Sequence, residues 1–304
     1  MSVRINGAIA LLAIAPALAA AATPINQSRP LDGNGRVHIE NIKGRIIVRT
    51  WAQPQVRITG SLGKGAEKLA ISGDASSLSI EVKYPDNGGW SLWGHRNRDV
   101  EDSILEVTLP RGASVDVDSV SADVDVQQMA GRRLSVSSVS GQVVVTASSP
   151  GQASFENVSG DTTLRITSNK VEADSVSGDI KLQGGLAGEV SMESVSGNLS
   201  LGAQSLSRLQ VSTVSGDARL RTGLKPGGVI KGETLSGELS LQLPATSNAR
   251  LHAESFSGDI SSPVGRVHRE EHGPGKSLDT TLGAGGGGQV HLESFSGDVS
   301  IETR

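Results

Sequence analysis

The chain of 304 residues contains no cysteine. Disulfide bonds are therefore excluded, and so is the lipidated cysteine that tethers bacterial lipoproteins to a membrane. Aromatic residues make up only 2% of the chain. A globular core built around large rings is hard to assemble from this composition, and a narrow core of stacked aliphatic side chains is the natural alternative.

The chain also lacks an excess of positive charge, because it contains 28 Lys and Arg residues and 32 Asp and Glu residues. We therefore expect no nucleic-acid partner, since nucleic-acid binding leaves a strongly basic footprint. After the first residues, no apolar run is long enough to span a bilayer. We expect no transmembrane segment in the mature protein.

The N-terminus has the pattern of an export signal. Arg4 supplies a positive charge, residues 7–18 form an apolar stretch, and the alanines that follow resemble a small-residue cleavage site. The sequence predicts a signal peptide over residues 1–22 and a mature protein in the periplasm, secreted, or at the cell surface. An uncleaved anchor is the alternative, but this stretch is short for a membrane span.

Internal repetition is the strongest signal in the chain. A block similar to Ser-Val-Ser-Gly-Asp recurs, and its glycine position is occupied by Gly44, Ala122, Gly141, Gly160, Gly178, Gly197, Gly216, Gly237, Gly258 and Gly297. From Ala122 to Gly258 the successive steps are 19, 19, 18, 19, 19, 21 and 21 residues. The last step of 39 is either two units, one of them degenerate, or one unit with an insertion.

Each repeat has the periodicity of two short strands. Counted from the glycine, apolar residues fall at −7, −5, −2, +2 and +4, as in Val171, Ala173, Val176, Ile180 and Leu182 around Gly178. Residues two apart share one face of a strand. The odd step from −5 to −2 predicts a bend or bulge there, since strict alternation would turn the −2 side chain away from the core. The glycine is expected to supply a permissive backbone for the corner.

Stacking of such units predicts an all-β fold, a parallel β-solenoid (β-helix) of about ten rungs and about 45–50 Å in length. Each rung would hold 19–21 residues. An antiparallel β-sandwich or meander is the alternative. The expected organisation is a linker over 23–34 and a repeat domain over 35–304, divided into an atypical portion (35–117), regular repeats (118–261), a Gly-rich inserted loop (262–289) and a last rung (290–304).

These blocks carry a family resemblance. The strand end Val107-Thr108-Leu109-Pro110, the following Val115-Asp116-Val117 and the serial Ser-Val-Ser-Gly-Asp blocks resemble the bacterial DUF4097 family of adhesin-like β-strand repeat proteins. The resemblance covers roughly residues 35–304. It implies a solenoid-like β fold and an envelope setting, and it brings no catalytic residues.

Two polar columns accompany the glycines. Position −4 is mostly Glu or Asp, and position +1 holds the aspartates that we consider as metal ligands, Asp161, Asp179, Asp217, Asp259 and Asp298. Ordinary turn chemistry explains an Asp beside a Gly. We expect no cofactor, but carboxylate and carbonyl oxygens also suit calcium, which is the alternative for this column. The column lacks the GGxGxD repeats of known calcium-binding β-rolls.

A second metal candidate is the HxxEH sequence formed by residues 268–272. Two histidines at this spacing bind zinc when a helix places both on one face. Here Gly273-Pro274-Gly275 follows at once and no helical pattern surrounds it. A solvated loop is therefore the default interpretation of His268 and His272, with metal binding as the alternative.

The loop at residues 86–99 concentrates the residue types that are typical of binding sites. Its candidates for ligand binding are Trp90, Trp93, His95, Arg96 and Arg98. Tryptophan and arginine are favoured at binding hot spots, and the rings could stack on sugars. The alternative is that the two tryptophans cover an open end of the solenoid core.

The sequence contains no nucleophile elbow and no acid pair set apart from the repeat. We therefore expect a non-catalytic envelope protein, an adhesin-like or scaffolding surface, with an envelope polysaccharide or a protein as its partner. A carbohydrate-active β-helix enzyme that uses clustered carboxylates is the alternative. End-to-end self-association is a further expectation, because an uncapped solenoid exposes strand edges.

Overall fold

The computed structural model describes residues 23–85 and 100–304. Within these residues the chain forms strands and turns and contains no helix, so the all-β prediction is confirmed. It follows that the described part contains no helix long and apolar enough to cross a membrane. The predicted signal peptide and the tryptophan loop, with Trp90, Trp93, His95, Arg96 and Arg98, lie outside the described residues.

The strands follow one another with short connections. In chain order they are β1 (Thr23–Pro30), β2 (Arg36–Trp51), β3 (Gln55–Leu62), β4 (Lys68–Gly73), β5 (Ser77–Lys83), β6 (Ser103–Pro110), β7 (Ser114–Gln127), β8 (Arg133–Ser138), β9 (Val143–Ser148), β10 (Gln152–Asn157), β11 (Thr162–Ile166), β12 (Ser168–Ser175), β13 (Ile180–Gln183), β14 (Leu186–Ser194), β15 (Leu199–Thr213), β16 (Ala218–Thr234), β17 (Leu239–Leu243), β18 (Ala249–Ser255), β19 (Ile260–Ser261), β20 (His268–Arg269), β21 (Lys276–Leu282), β22 (Gly288–Ser294) and β23 (Val299–Thr303).

The regular repeats stack as two series of parallel strands. In one series β8, β10, β12 and β14 pair in register, with Leu134, Ala153, Val171 and Val190 in successive turns. In the other series β9, β11, β13 and the first half of β15 pair in the same manner. The inward side chains of both series belong to one buried aliphatic cluster. This is the solenoid-like arrangement that the repeat predicts, within a large mixed sheet.

The glycine at each corner is required for space rather than for its conformational freedom. A Cβ on Gly178 would lie 2.0 Å from the carbonyl oxygen of Gly160 in the preceding turn. Most corner glycines have no positive φ, and Gly44, with φ of 115°, is the exception. The expectation of a permissive backbone is therefore wrong for the regular repeats, where stacked backbones approach too closely for a side chain.

The N-terminal portion is arranged around β2 and differs from the regular repeats. One edge of β2 pairs with β7, and the other edge pairs with β5 and then β6, all in parallel. Antiparallel strands follow on the outside, with β4 on β5, β3 on β6 and β1 on β3. Residues 23–30, which were expected as linker, therefore form a paired strand of the sheet.

The C-terminal strands do not stack in sequence order. Strand β22 pairs with β16 on one side and with β18 on the other, and β23 lies between β17 and β19 in the same way. Residues 290–304 are thus inserted between two earlier repeats and do not form the end of the stack. The outer edge of β18 is covered by antiparallel β21, which carries β20, so the segment 262–289 contributes strands as well as a loop.

Candidate functional site

The first serine of each Ser-Val-Ser-Gly-Asp block closes the corner. Ser175, at position −3, is buried, and its Oγ accepts a hydrogen bond of 2.9 Å from the backbone N–H of Gly178. Its hydroxyl also donates to the Gly178 carbonyl at 2.8 Å. The same N–H contact joins Ser194 to Gly197 at 2.8 Å and Ser138 to Gly141 at 3.1 Å. Position −3 therefore has a structural role, because a buried polar group must be hydrogen-bonded.

The second serine, at position −1, ties each turn to the previous one. The Oγ of Ser177 donates to the carbonyl of Val158 at 3.1 Å, and the Oγ of Ser159 donates to that of Val139 at 3.0 Å. Backbone hydrogen bonds run in parallel, as from the N–H of Ser177 to the same carbonyl of Val158 at 2.8 Å. The corners thus continue the parallel ladder of the strands.

The aspartates at position +1 also serve the stack. The Oδ1 atoms of Asp161, Asp179, Asp217 and Asp298 each accept a backbone N–H from the adjacent turn, at 3.1, 2.8, 3.0 and 2.8 Å. Asp259 instead pairs with Lys276, which lowers the pKa of the Asp259 carboxyl. In the described part of the chain none of these five belongs to a group of three close metal-ligating side chains. These hydrogen bonds are the ordinary turn interactions that were the alternative to calcium binding.

The two histidines of the HxxEH sequence are exposed. His268 lies in the two-residue strand β20, and His272 lies in the turn that follows. No helix brings them onto one face, and neither belongs to a close group of metal ligands among the described residues. The arrangement is that of a solvated loop.

The apolar residue at position −2 points to solvent, contrary to the expectation that a bend would bring it inward. The alternation of the strand continues to −3, so the small polar residue takes the third inward place and its apolar neighbour faces outward. We call the resulting row the apolar ridge. Its members are 38–54% exposed and follow in spatial order as Ile42, Val120, Val139, Val158, Val176, Val195, Val214, Leu235, Phe295 and Phe256.

The acidic column at position −4 runs beside the ridge. It comprises Glu40, Asp118, Glu156, Asp174, Glu193, Glu233, Glu293 and Glu254, with serines in two turns. Between column and ridge lies a groove floored by the buried −3 residues, which we call the corner groove. One section of about 440 Å³ extends from Asp118 to Val176. A second, of about 540 Å³, lies between Ser212 and Phe295 and is walled by residues 275–277.

The middle of the acidic column has an unusual electrostatic environment. Asp174 lies directly opposite Glu156 on one neighbouring strand and Glu193 on the other. Partial burial, together with the charges of Glu193, Glu156 and Glu172, raises the pKa of Asp174 to about 6. Like charges directly opposite one another on adjacent strands are destabilising. A positively charged group placed in this part of the corner groove would relieve that repulsion.

A third arrangement lies near the N-terminal end of the groove. His38 of β2 is paired in register with Asp116 of β7, and Asp118 follows two residues later on the same face. The Nδ1 atom of His38 is 3.5 Å from Oδ2 of Asp116 and 3.7 Å from Oδ2 of Asp118. Burial and the charge of Asp116 raise the pKa of Asp118, while His38 opposes them. These three side chains could hold a metal ion.

Sequence reasoning found the residues of the acidic column but assigned the ridge to the core. A usable signal was present in the sequence. In most blocks the −2 residue is followed by Ser and Gly, and each block has a small polar residue (Ser, Thr or Asn) at −3 that continues the inward alternation. The His38 cluster was missed entirely. It depends on β2 pairing with β7, and that pairing crosses the insertion of β3 to β6.

The comparison with known proteins agrees with this architecture. A family model described as Toastrack DUF4097 matches residues 36–302. No curated protein matches the chain. The crystal structure of a "putative adhesin" from Parabacteroides distasonis aligns with a TM-score of 0.50 at 11% identity, covering 93% of this chain and 98% of that one. A "putative lipid binding protein" from the same organism aligns over 93% and 97% of the two chains, at 10% identity and a TM-score of 0.48.

Proposed function

The chain belongs to the DUF4097 (Toastrack) family, and from this membership and the corner groove we propose that it is a non-catalytic, exported envelope protein that binds an extended protein segment. Such a role is adhesin-like, and the similar crystal structure from Parabacteroides distasonis is that of a "putative adhesin". Location in the periplasm or at the cell surface is part of the proposal. The proposal also includes a stack of about ten rungs, because the number of rungs sets the length of the binding surface.

The observation that carries the proposal is the apolar ridge. Every other position of the Ser-Val-Ser-Gly-Asp block has a structural explanation in its hydrogen bonds or close backbone contacts. The −2 side chains are exposed and form a continuous row along the stack. A contiguous exposed apolar row flanked by polar residues is typical of an interaction surface.

The chemistry of the groove favours a protein partner over a polysaccharide. Most of the ridge is aliphatic, with stacked Phe256 and Phe295 at one end only. Valine desolvates well against apolar side chains, whereas sugar faces are usually bound by aromatic rings. The acidic column adds complementarity to lysine or arginine, which steers and orients such a partner. We therefore expect a segment that combines apolar and basic residues.

The test is binding of the purified mature protein to immobilised peptides in which apolar residues alternate with lysine. The same peptides with glutamate in place of lysine, and a panel of envelope glycans and peptidoglycan, serve as comparisons. We expect the lysine peptides to bind and a Val158→Thr, Val176→Thr, Val195→Thr variant to lose most of the signal. A matched variant on the outer face of the other strand series, Thr163→Ser, Lys181→Ser, Ser200→Ala, should bind normally.

If the protein binds glycans and none of the peptides, its partner is a polysaccharide and the proposal of a protein partner is wrong. Binding that is unchanged in the ridge variant would contradict the role of the ridge.

One observation favours a second candidate, a carbohydrate-active enzyme. Asp174, with its raised pKa between Glu156 and Glu193, resembles an acid placed near a carboxylate in a glycosidase. Turnover of an envelope polysaccharide that disappears in Asp174→Asn would establish that function. Absence of turnover in the wild type, with peptide binding retained, would exclude it for the substrates tested.

A further inference from the structure

From the geometry at the N-terminal end of the acidic column we propose that His38, Asp116 and Asp118 form a binding site for a divalent transition-metal ion, with zinc as its best probe. The inference is independent of the proposed partner of the corner groove. It concerns residues outside both metal candidates that the sequence suggests, the +1 aspartates and the HxxEH loop.

The first argument is the spacing of the ligand atoms. All three side chains can offer one ligand atom within 4.8 Å of the other two. The two distances from Nδ1 of His38 are 3.5 and 3.7 Å. Ligands at about 2.0–2.2 Å from a tetrahedral zinc ion lie about 3.3–3.6 Å from one another. The observed separations are therefore close to those of an occupied site, and small rotations of exposed side chains would complete it.

The second argument is that both carboxylates approach the same nitrogen. Asp116 and Asp118 lie on one face of β7, and both face Nδ1 of His38 across the β2–β7 pairing. An ion placed at this point contacts all three groups at once. One imidazole and two carboxylates with open positions for water are a ligand set that zinc accepts, whereas calcium prefers oxygen ligands alone.

The other histidine cluster has the opposite arrangement. His252 contacts Asp279 through Nδ1 at 2.7 Å and Glu254 through Nε2 at 3.0 Å. Its two carboxylates lie on opposite sides of the ring and cannot converge on one ion. The ring also stacks on His291 with centroids 5.0 Å apart, which fixes its orientation. His252 therefore provides a matched control, a histidine that is 32% exposed and contacts two carboxylates but should not bind zinc in the same manner.

The third argument concerns charge. Within the described residues, His38 is the only salt-bridge partner of Asp116 and of Asp118. The neighbouring column residue Glu40 lies opposite Asp118 and adds a further carboxylate. Three carboxylates thus lie close to one histidine, and a divalent cation would offset their mutual repulsion. The side chains are 33%, 46% and 48% exposed for His38, Asp116 and Asp118, so an ion can enter from solvent.

Zinc titration of the metal-free mature protein by isothermal calorimetry, in a large excess of calcium and magnesium, tests the proposal. We expect one zinc ion per chain, with affinity reduced about tenfold or more in His38→Ala because one of three ligands is lost. His252→Ala should bind as the wild type does. Cobalt as a spectroscopic substitute should give a visible absorption band that is lost with His38→Ala.

A second variant keeps the test decisive if His38→Ala folds poorly. Asp116→Asn with Asp118→Asn preserves the shape of both side chains and should also abolish zinc binding. The proposal is overturned if zinc does not bind, if binding survives both sets of substitutions, or if it is lost in His252→Ala. Loss of binding in a His268→Ala, His272→Ala variant would overturn it too and would place the ion in the HxxEH loop.

Discussion

The rings of Phe256 and Phe295 stack with their centroids 5.0 Å apart and their planes at 11°. Phe295 belongs to the later of the two repeats, yet it lies nearer the middle of the stack. Its backbone N–H bonds to the carbonyl of Thr234, and the N–H of Phe256 bonds in turn to the carbonyl of Ser294. The last strands of the chain are therefore an internal layer, and the preceding repeat forms the outer one.

A first prediction concerns this insertion. Truncation after Gly288 removes β23 and nearly all of β22, so β18 and β19 lose their parallel neighbours. We expect amide hydrogens in residues 249–261 to exchange at the rate of an unfolded segment, measured by hydrogen–deuterium exchange. Removal of β1, which among the described strands pairs with β3 alone, should leave that segment protected. Retained protection after the C-terminal truncation would mean that β18 is held by its antiparallel partner β21 or pairs directly with β16, and that the inserted strands are not required.

A second prediction concerns the glycine column. Gly178→Ala places a Cβ 2.0 Å from a backbone oxygen of the adjacent turn, and neither backbone can move without breaking the ladder. We expect the free energy of unfolding to fall by about 3 kcal/mol, the upper end for overpacking. In Gly202→Ala the new Cβ meets only the Gln183 side chain at 3.4 Å, so denaturant unfolding should change by less than about 0.5 kcal/mol. Equal effects would refute close approach as the cause.

A third prediction concerns the +1 column. Asp179→Asn keeps the oxygen that accepts the Asn198 N–H, and Asn198 performs the same task for Asp217 at 3.1 Å. The free energy of unfolding of Asp179→Asn should therefore match that of the wild type in denaturant unfolding. In Asp179→Ala it should fall by about 1–2 kcal/mol, because the acceptor is lost. If the column instead bound calcium, added calcium would stabilise the wild type strongly and Asp179→Asn would abolish that effect.

A fourth prediction is a pH dependence of stability centred on Asp174. The pKa of Asp174 in the folded protein is about 6, above its unfolded value, so the folded state holds the proton more tightly. This contribution to stability is complete below about pH 4 and is lost as the pH rises through 6. The carboxyl remains in contact with solvent, and screening keeps the effect to about 1 kcal/mol or less.

Asp174→Asn should flatten this part of the pH profile and be more stable than the wild type at pH values above about 7. Chemical unfolding across the pH range measures both proteins. Identical profiles would show that neither burial nor the neighbouring carboxylates raise the pKa of Asp174 in the folded protein.

The sequence predicted the all-β class and the two-strand unit because aliphatic residues recur with strand periodicity in every repeat. It could not place β22 and β23, since a step of 39 residues is compatible with several stacking orders. Nor could it place β2 beside β7, because a long insertion separates the two strands. The orientation of Val176 was misjudged for a different reason. Buried Ser175 is polar, and the hydrogen bonds to Gly178 that permit its burial are not visible in a hydrophobicity pattern.

The proposed binding surface requires the apolar ridge to face solvent, and one pair of substitutions tests this orientation directly. Val176→Thr exchanges a methyl group for a hydroxyl at a residue that is 47% exposed, whereas Val171→Thr makes the same exchange in the core, where the residue is 1% exposed. Denaturant unfolding should show a change of less than about 0.5 kcal/mol for Val176→Thr and a loss of about 1–3 kcal/mol for Val171→Thr. Similar large losses in both variants would place the −2 residues in the core and contradict the proposed binding surface.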